Sequence, residues 1–219
     1  MSGTAEPSAG RPEGSGGPSY LDLPLRTFLG LLRDDQPASA GGAAAAVGVA
    51  LAASLCLMTA RLSSRQLPEA AELAAEAERL ADTVAPLAQA DADAYGAVIA
   101  ALRRPTGAPA EPGAPAEPGA LQDDERRRRL AAALSDAADV PMRVAEIGVQ
   151  VAALATRLAT NGNPNVHGDA VTAALLAEAG ARSACTLVRI NLSGAESDQR
   201  LARVAHLLAA MPSARGRTH

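Results

Sequence analysis

Lysine is absent from this 219-residue chain, so all 20 basic residues are arginine. That excludes Schiff-base chemistry and lysine general-base chemistry, since a guanidinium stays protonated. Tryptophan is absent too, and one phenylalanine and two tyrosines are the only aromatic residues. A core without large rings must be built from Ala, Leu and Val. Cysteine is scarce as well. Cys56 and Cys185 lie in apolar stretches whose spacing offers no metal motif. Buried free thiols suit a reducing compartment, so the expected location is cytoplasmic. Excess positive charge is also lacking. The net charge is −4, so no nucleic-acid partner is expected.

Residues 1–19 are rich in Gly, Pro and Ser and have no apolar core, so they read as a disordered tail rather than a signal peptide. Residues 212–219 form a basic tail. The apolar run Ala43–Ala60 approaches membrane-spanning length. It is largely Ala, lacks interfacial Trp or Tyr, and has no second span. It therefore reads as a buried central helix, with no membrane partner expected.

Alanine makes up about a quarter of the chain and is the best helix former. With few period-two runs, the expectation is one all-α domain over residues 20–211, of six to eight closely packed helices. Leu21, Leu25, Phe28, Leu29 and Leu32 mark a first helix from Tyr20 to Arg33. The next runs from Gly41-Gly42 to about Ser63. A third starts at Pro68, is kinked by Pro86, and reaches about Arg103. Residues 105–119 hold Gly-Ala-Pro-Ala-Glu-Pro twice in tandem, an exposed polyproline-II-like loop interrupting the domain. Later helices begin before Arg126–Arg129, at Pro141, near Asp169 and near Ser197. Most helices are apolar over much of their circumference, more than one bundle needs. A homodimer is therefore expected.

Several residues suit chemistry. Gly41-Gly42 opens a helix, where free backbone N–H groups and the dipole attract negative charge. Close helix packing explains the pair equally well. Asp91 and Tyr95 are four apart and share a face, whereas Asp93 points away. An Asp91 carboxylate on an otherwise apolar helix would be desolvated, its pKa raised toward that of a neutral-pH proton shuttle. The other reading is an acid on a solvated stripe. Arg126–Arg129 point all around their helix and read as solvated. The segment Asn161-Gly162-Asn163-Pro164-Asn165-Val166-His167-Gly168-Asp169 packs Asn163, Asn165, His167 and Asp169 into one turn. His167 is the only histidine placed among other polar groups and is a candidate for proton exchange, and Asp169 caps or charges the next helix. The asparagines serve either a binding loop or an Asx-type turn.

This turn, the small-residue helix after it and the closing Val188-Arg189-Ile190-Asn191-Leu192 resemble the formimidoyltetrahydrofolate cyclodeaminase / methenyltetrahydrofolate cyclohydrolase family. The run Asp91-Ala92-Asp93-Ala94-Tyr95 is similar to that family's Asp-Ala-x-Ala-aromatic segment. The resemblance implies a dimeric helical enzyme with a tetrahydrofolate derivative as small-molecule substrate, no bound cofactor and no metal. It makes Asp91 the proton shuttle, with Tyr95 and His167 beside it. Gly41, Gly42, Asn163, Asn165, Asp169, Arg189 and Asn191 would bind substrate, all in one cleft. The chain departs from the pattern at Ala43, Thr106 and Leu187, where the family has a hydroxyl, a basic residue and an asparagine. Those departures leave two other readings open. One is the same fold repurposed for another imine or ring-forming step; the other is a non-catalytic binding protein.

Overall fold

The structure is a computed structural model that describes residues 19–33, 40–103 and 119–211, with side chains of the last segment from Asp124 onward. Among the described residues it has eight α-helices and no strand, as composition and periodicity predict. They are α1 (Leu25–Leu31), α2 (Ala40–Arg61), α3 (Ala70–Val84), α4 (Leu87–Leu102), α5 (Gly119–Ala137), α6 (Asp139–Asn161), α7 (His167–Asn191) and α8 (Gln199–Ala210). Short 3-10 turns cover Tyr20–Asp22 and Pro164–Val166. The hexapeptide repeat, Thr106 and most of both tails lie outside the described residues.

Two proline positions correct the expected boundaries. The segment expected as one helix from Tyr20 divides at Leu23-Pro24, where Leu23 is extended. Proline disfavours helical geometry in the residue before it. Pro86 likewise does more than kink. It ends α3 and stands at the N-cap of α4, so one expected helix is two. Its missing N–H and its ring clash with the preceding turn explain the break.

Helix α2 is the centre. It packs against α3, α4, α6 and α7, while α8 covers α6 and α7, and α5 lies on α4. Its inward residues Ala46, Val49, Ala52, Ala53 and Cys56 are wholly buried. Two helical stretches among the described residues, Ala40–Arg61 and Pro164–Asn191, are long and apolar enough to cross a membrane, where the sequence alone suggests one. Small residues permit very close contacts. A β-carbon at Gly180 of α7 would lie 2.6 Å from Val49 Cγ2 and 3.0 Å from the Ala45 carbonyl oxygen. Near the other end of the same contact, Leu187 approaches Gly41. Helix α7 therefore runs antiparallel to α2. Burial raises the Cys56 thiol pKa to about 12, leaving it inert at neutral pH.

The corner between α5 and α6 is tied twice. Arg200 Nη1 donates to the Ser135 carbonyl (2.8 Å) and to Asp139 Oδ1 (2.6 Å), and Nη2 donates to Ser135 Oγ (2.7 Å) and Asp198 Oδ2 (2.7 Å). Asn191 Nδ2 donates to the Ala137 carbonyl at 3.0 Å. These bonds fix the end of α5, and α5 in turn packs on α4, the helix that carries Asp91.

Candidate active site

Asp91 is one of three buried polar side chains in the described core, at 6% exposure. Its carboxylate rests on the first turn of α2. A β-carbon at Gly42 would lie 2.1–2.2 Å from all three carboxylate atoms. Only glycine admits the acid there, so close packing and charge placement are both reasons for the residue. The first four N–H groups of a helix have no partner within it, and its dipole is positive at that end. The carboxylate thus lies in a dry corner beside a built-in positive potential. Tyr95, half-buried, stands one turn further along α4 on the same face. Asp93 points outward and accepts from Gln89 Nε2 at 2.9 Å, as its phase predicts.

The wall opposite comes from α7. Leu187 is half-buried, with Cδ2 3.9 Å from the place of a Gly41 β-carbon. Arg189 and Asn191 lie in the last turns of that helix, at the same end of α2. Arg189 is exposed, whereas the Asn191 amide is engaged by Ala137 and braces the fold. Arg126–Arg129 are exposed, and Arg127 (2.5 Å to Asp124) and Arg129 (3.4 Å to Glu125) pair locally rather than forming a patch.

The polar turn lies at the far end of α2. Asn163 Nδ2 donates to the Leu62 carbonyl at 2.9 Å, and its Oδ1 accepts from the Asn165 N–H at 3.0 Å. The Asn163 N–H donates to Ser63 Oγ (2.9 Å), and that hydroxyl donates to the Thr59 carbonyl (2.6 Å). Asn163 is therefore an Asx-type tie, with both polar atoms of its amide engaged by the protein. Asn165 and His167 are exposed; Asp169 is half-buried in the first turn of α7, where its charge suits the dipole. His167 Nδ1 lies 3.0 Å from the Ala159 carbonyl oxygen. Sequence inspection had no signal for Ser63, whose role follows only from the packing of α2 against this turn.

The expected single cleft is thus divided within one chain. Gly42 and Leu62 are 20 positions apart on α2, or about 30 Å at 1.5 Å per residue. Asp91, Tyr95, Gly41, Gly42, Arg189 and Asn191 lie at one end. Asn163, Asn165, His167 and Asp169 lie at the other. No hydrogen-bond relay joins the two groups inside a subunit.

A family model described as formiminotransferase-cyclodeaminase matches residues 24–209. The chain belongs to this family. Methenyltetrahydrofolate cyclohydrolase from Methylorubrum extorquens is 31% identical over 198 residues, spanning 84% of this chain and 88% of that protein. A solved structure of formiminotetrahydrofolate cyclodeaminase from Thermotoga maritima superposes with a TM-score of 0.68 at 24% identity, covering 87% of this chain and 89% of that one. That superposition establishes the helical fold. A formiminotransferase-cyclodeaminase fold thus holds the Asp91 corner, and the sequence resemblance and the family assignment agree. The substituted positions are now located. Ala43 is buried in the first turn of α2, and Leu187 faces Gly41 across the corner.

Proposed function

We propose that this protein is a folate-linked one-carbon enzyme, a methenyltetrahydrofolate cyclohydrolase first and a formimidoyltetrahydrofolate cyclodeaminase second. The observation that carries the reading is the buried Asp91 carboxylate held on the Gly42 turn, in a chain similar over most of its length to a cyclohydrolase. The chemistry is addition to, or elimination from, the carbon bridging N5 and N10 of tetrahydrofolate. Water adds to a methenyl carbon, and ring opening needs a proton at the departing nitrogen. Asp91 takes the proton of the new hydroxyl and delivers it to that nitrogen. In cyclodeamination the same group protonates departing ammonia. A buried carboxylate beside a cationic bridge also stabilises the charge of that bridge. Folate enters as substrate, and the two buried thiols suit a cytoplasmic setting.

The active form in this reading is an antiparallel homodimer across α2. The outer face of that helix carries Ala44, Gly48, Leu51, Leu55, Met58 and Leu62, spaced by four, three, four, three and four residues. Leu51 is 55% exposed, Met58 38% and Leu62 50%. A two-fold axis near residue 53 sets Ala44 against Leu62, Gly48 against Met58 and Leu51 against Leu55. Small residues then face large ones in the two outer pairs, and Leu51 meets Leu55 at the axis. The same axis brings the Gly42 end of one subunit level with the Leu62 end of its partner, with Gly42 itself on the far side of α2 from the seam.

Leu187 favours a second reading, the same fold acting on another cyclic or imine substrate. An apolar side chain lines the corner where the resembled family commonly offers an amide. The deciding experiment gives purified enzyme methenyltetrahydrofolate and follows loss of the methenyl chromophore. Turnover well above the buffer rate supports the first reading. Ligand binding without turnover, or neither, rules out the cyclohydrolase.

A further inference from the structure

We infer that Arg200 is a positioning residue for Asp91, acting through the end of α5. The reaction it serves is that of the cyclohydrolase reading, on which the kinetic test below rests. The guanidinium is saturated. Its Nε donates to Asp198 Oδ1 at 3.0 Å, Nη1 to the Ser135 carbonyl (2.8 Å) and Asp139 Oδ1 (2.6 Å), and Nη2 to Ser135 Oγ (2.7 Å) and Asp198 Oδ2 (2.7 Å). An arginine carries five such N–H donors in a planar fork, and here each has an acceptor. Two of them form a bidentate pair with Asp198, the N-cap of α8, whose Oδ1 also accepts the Arg200 backbone N–H at 2.8 Å. Only 24% of the side chain is exposed, so water competes little for these bonds.

This guanidinium joins three helices at one corner. It meets the last turn of α5 through Ser135, the first turn of α6 through Asp139 and the N-cap of α8 through Asp198. A cation at the C-terminal end of α5 and an acid at the N-terminal end of α6 both suit the dipoles there. Carbonyls in the last turn of a helix lack partners within it. Two of those in α5 are held from outside, Ser135 by Arg200 and Ala137 by Asn191. Contacts lead from this corner to the acid. Asn191, tied to Ala137, is one turn of α7 beyond Leu187, or roughly 6 Å. Leu187 faces Gly41, and the next residue, Gly42, bears the Asp91 carboxylate. The end of α5 therefore stands at the Asp91 end of the bundle.

Helix α5 packs chiefly on α4 and meets α6 and α7 only slightly. Its charged run Arg126–Arg129 is exposed, so little apolar burial fixes it there. The ties at Ser135 and Ala137 therefore set where α5 lies. Helix α4 meets both α2 and α5, so a drift of α5 passes to the helix that carries Asp91. The acid has no slack to absorb it, because its carboxylate already rests on the Gly42 backbone. Displacement of a reacting group by about 1 Å costs up to about a hundredfold in rate. Lysine is no substitute for Arg200. A point charge with three donors cannot serve both carboxylates and both Ser135 oxygens at once.

The test compares Arg200→Leu and Arg200→Lys with wild type in the full-length chain. Arg203→Leu is the control on the same helix, since Arg203 is exposed and pairs with Glu146 instead. Thermal melts fix a temperature at which every variant is folded, and kcat and KM on methenyltetrahydrofolate are measured there. Arg200→Leu should lose kcat by about tenfold or more, with KM within about twofold of wild type. Arg200→Lys should regain melting temperature more than kcat, because it restores the charge and not the fork. Arg203→Leu should turn over like wild type. If Arg200→Leu does not fold, Arg200→Lys carries the comparison with the same expected loss. Wild-type kcat in the folded Arg200 variant would make the residue purely structural and overturn the inference. So would a raised KM at unchanged kcat, an equal loss in Arg203→Leu, or recovery of kcat by lysine in step with melting temperature. Each of these leaves the cyclohydrolase reading in place. Absence of turnover by the wild type removes that reading, and the positioning is then read by hydrogen exchange. Amides of residues 87–92 should exchange faster in Arg200→Leu, by a larger factor than those of α3; equal factors overturn the inference.

Discussion

Gly42→Ala is the sharpest perturbation of the site, because one methyl group opposes one carboxylate. The added β-carbon would meet the Asp91 carboxylate atoms at 2.1–2.2 Å, whereas ordinary contact begins at 3.4 Å. The carboxylate must therefore retreat by 3.4 minus 2.1, or about 1.3 Å, if α2 stays in place. Displacement on that scale costs about a hundredfold in rate where a reacting group must be positioned. Stability changes less. Overpacking costs about 1–3 kcal/mol, and replacing glycine in a helix returns up to about 1 kcal/mol. The net loss is about 0–3 kcal/mol, a fall of up to several degrees in melting temperature. Gly96→Ala is the matched control on the helix that carries Asp91, for its β-carbon would meet nothing within 4 Å. It should gain up to about 1 kcal/mol by helix propensity and keep its turnover. The assay is kcat on methenyltetrahydrofolate beside a thermal melt for each variant. A Gly42→Ala enzyme with wild-type kcat would show that catalysis does not depend on where Asp91 rests, and the argument from the dry corner would fail.

Other consequences follow from the same structure. Gly180→Ala places a β-carbon 2.6 Å from Val49 Cγ2 and should destabilise the protein by about 1–3 kcal/mol, read by thermal or urea unfolding, without altering KM. Leu51→Arg puts a charge in the middle of the outer α2 stripe and should turn dimer into monomer by light scattering; an unchanged mass at micromolar concentration would remove that interface. Arg200 lowers the Asp198 pKa from 3.8 to about 2, chiefly through their side-chain hydrogen bonds. A depressed carboxylate pKa stabilises the fold above the unfolded value and loses that effect as pH falls toward the folded value. Denaturation midpoints should thus decline between about pH 4 and pH 2 in the wild type, and decline less in Asp198→Asn. Cys56, with its thiol raised to about 12, should resist alkylation at pH 8 until the protein unfolds.

What the sequence discloses of this fold follows the range of the interactions concerned. Helix identity is local. Alanine content and the spacing of Leu21, Leu25, Phe28 and Leu29 predict helices, and the two prolines each divide one expected helix without changing the class. Asp91 is half legible, since its phase fits either a desolvated acid or an acid on a solvated stripe, and its contact with Gly42 decides for burial. Its partner Gly42 is half legible. Glycine before an apolar run signals close approach, but nothing in the sequence says that the approaching group is Asp91. The long-range relations are not legible. Asn163 reads equally as ligand group or structural tie, and only the meeting of its amide with Leu62 decides for the tie. Leu62 and Ser63 are about a hundred residues away in the chain, and no periodicity links them to the turn. The separation of the two polar groups has the same origin. The resemblance leads to the expectation of one cleft, while the length of α2 keeps the two groups about 30 Å apart within a subunit.

The central claim is that Asp91 moves protons for a folate one-carbon reaction. Turnover of methenyltetrahydrofolate by wild type and Asp91→Asn, with both proteins shown by melting to be folded, tests it most directly. The account predicts clear turnover by the wild type and a loss of about 10²–10⁴ in kcat for the variant, with KM little changed. Equal turnover by the two proteins would contradict it.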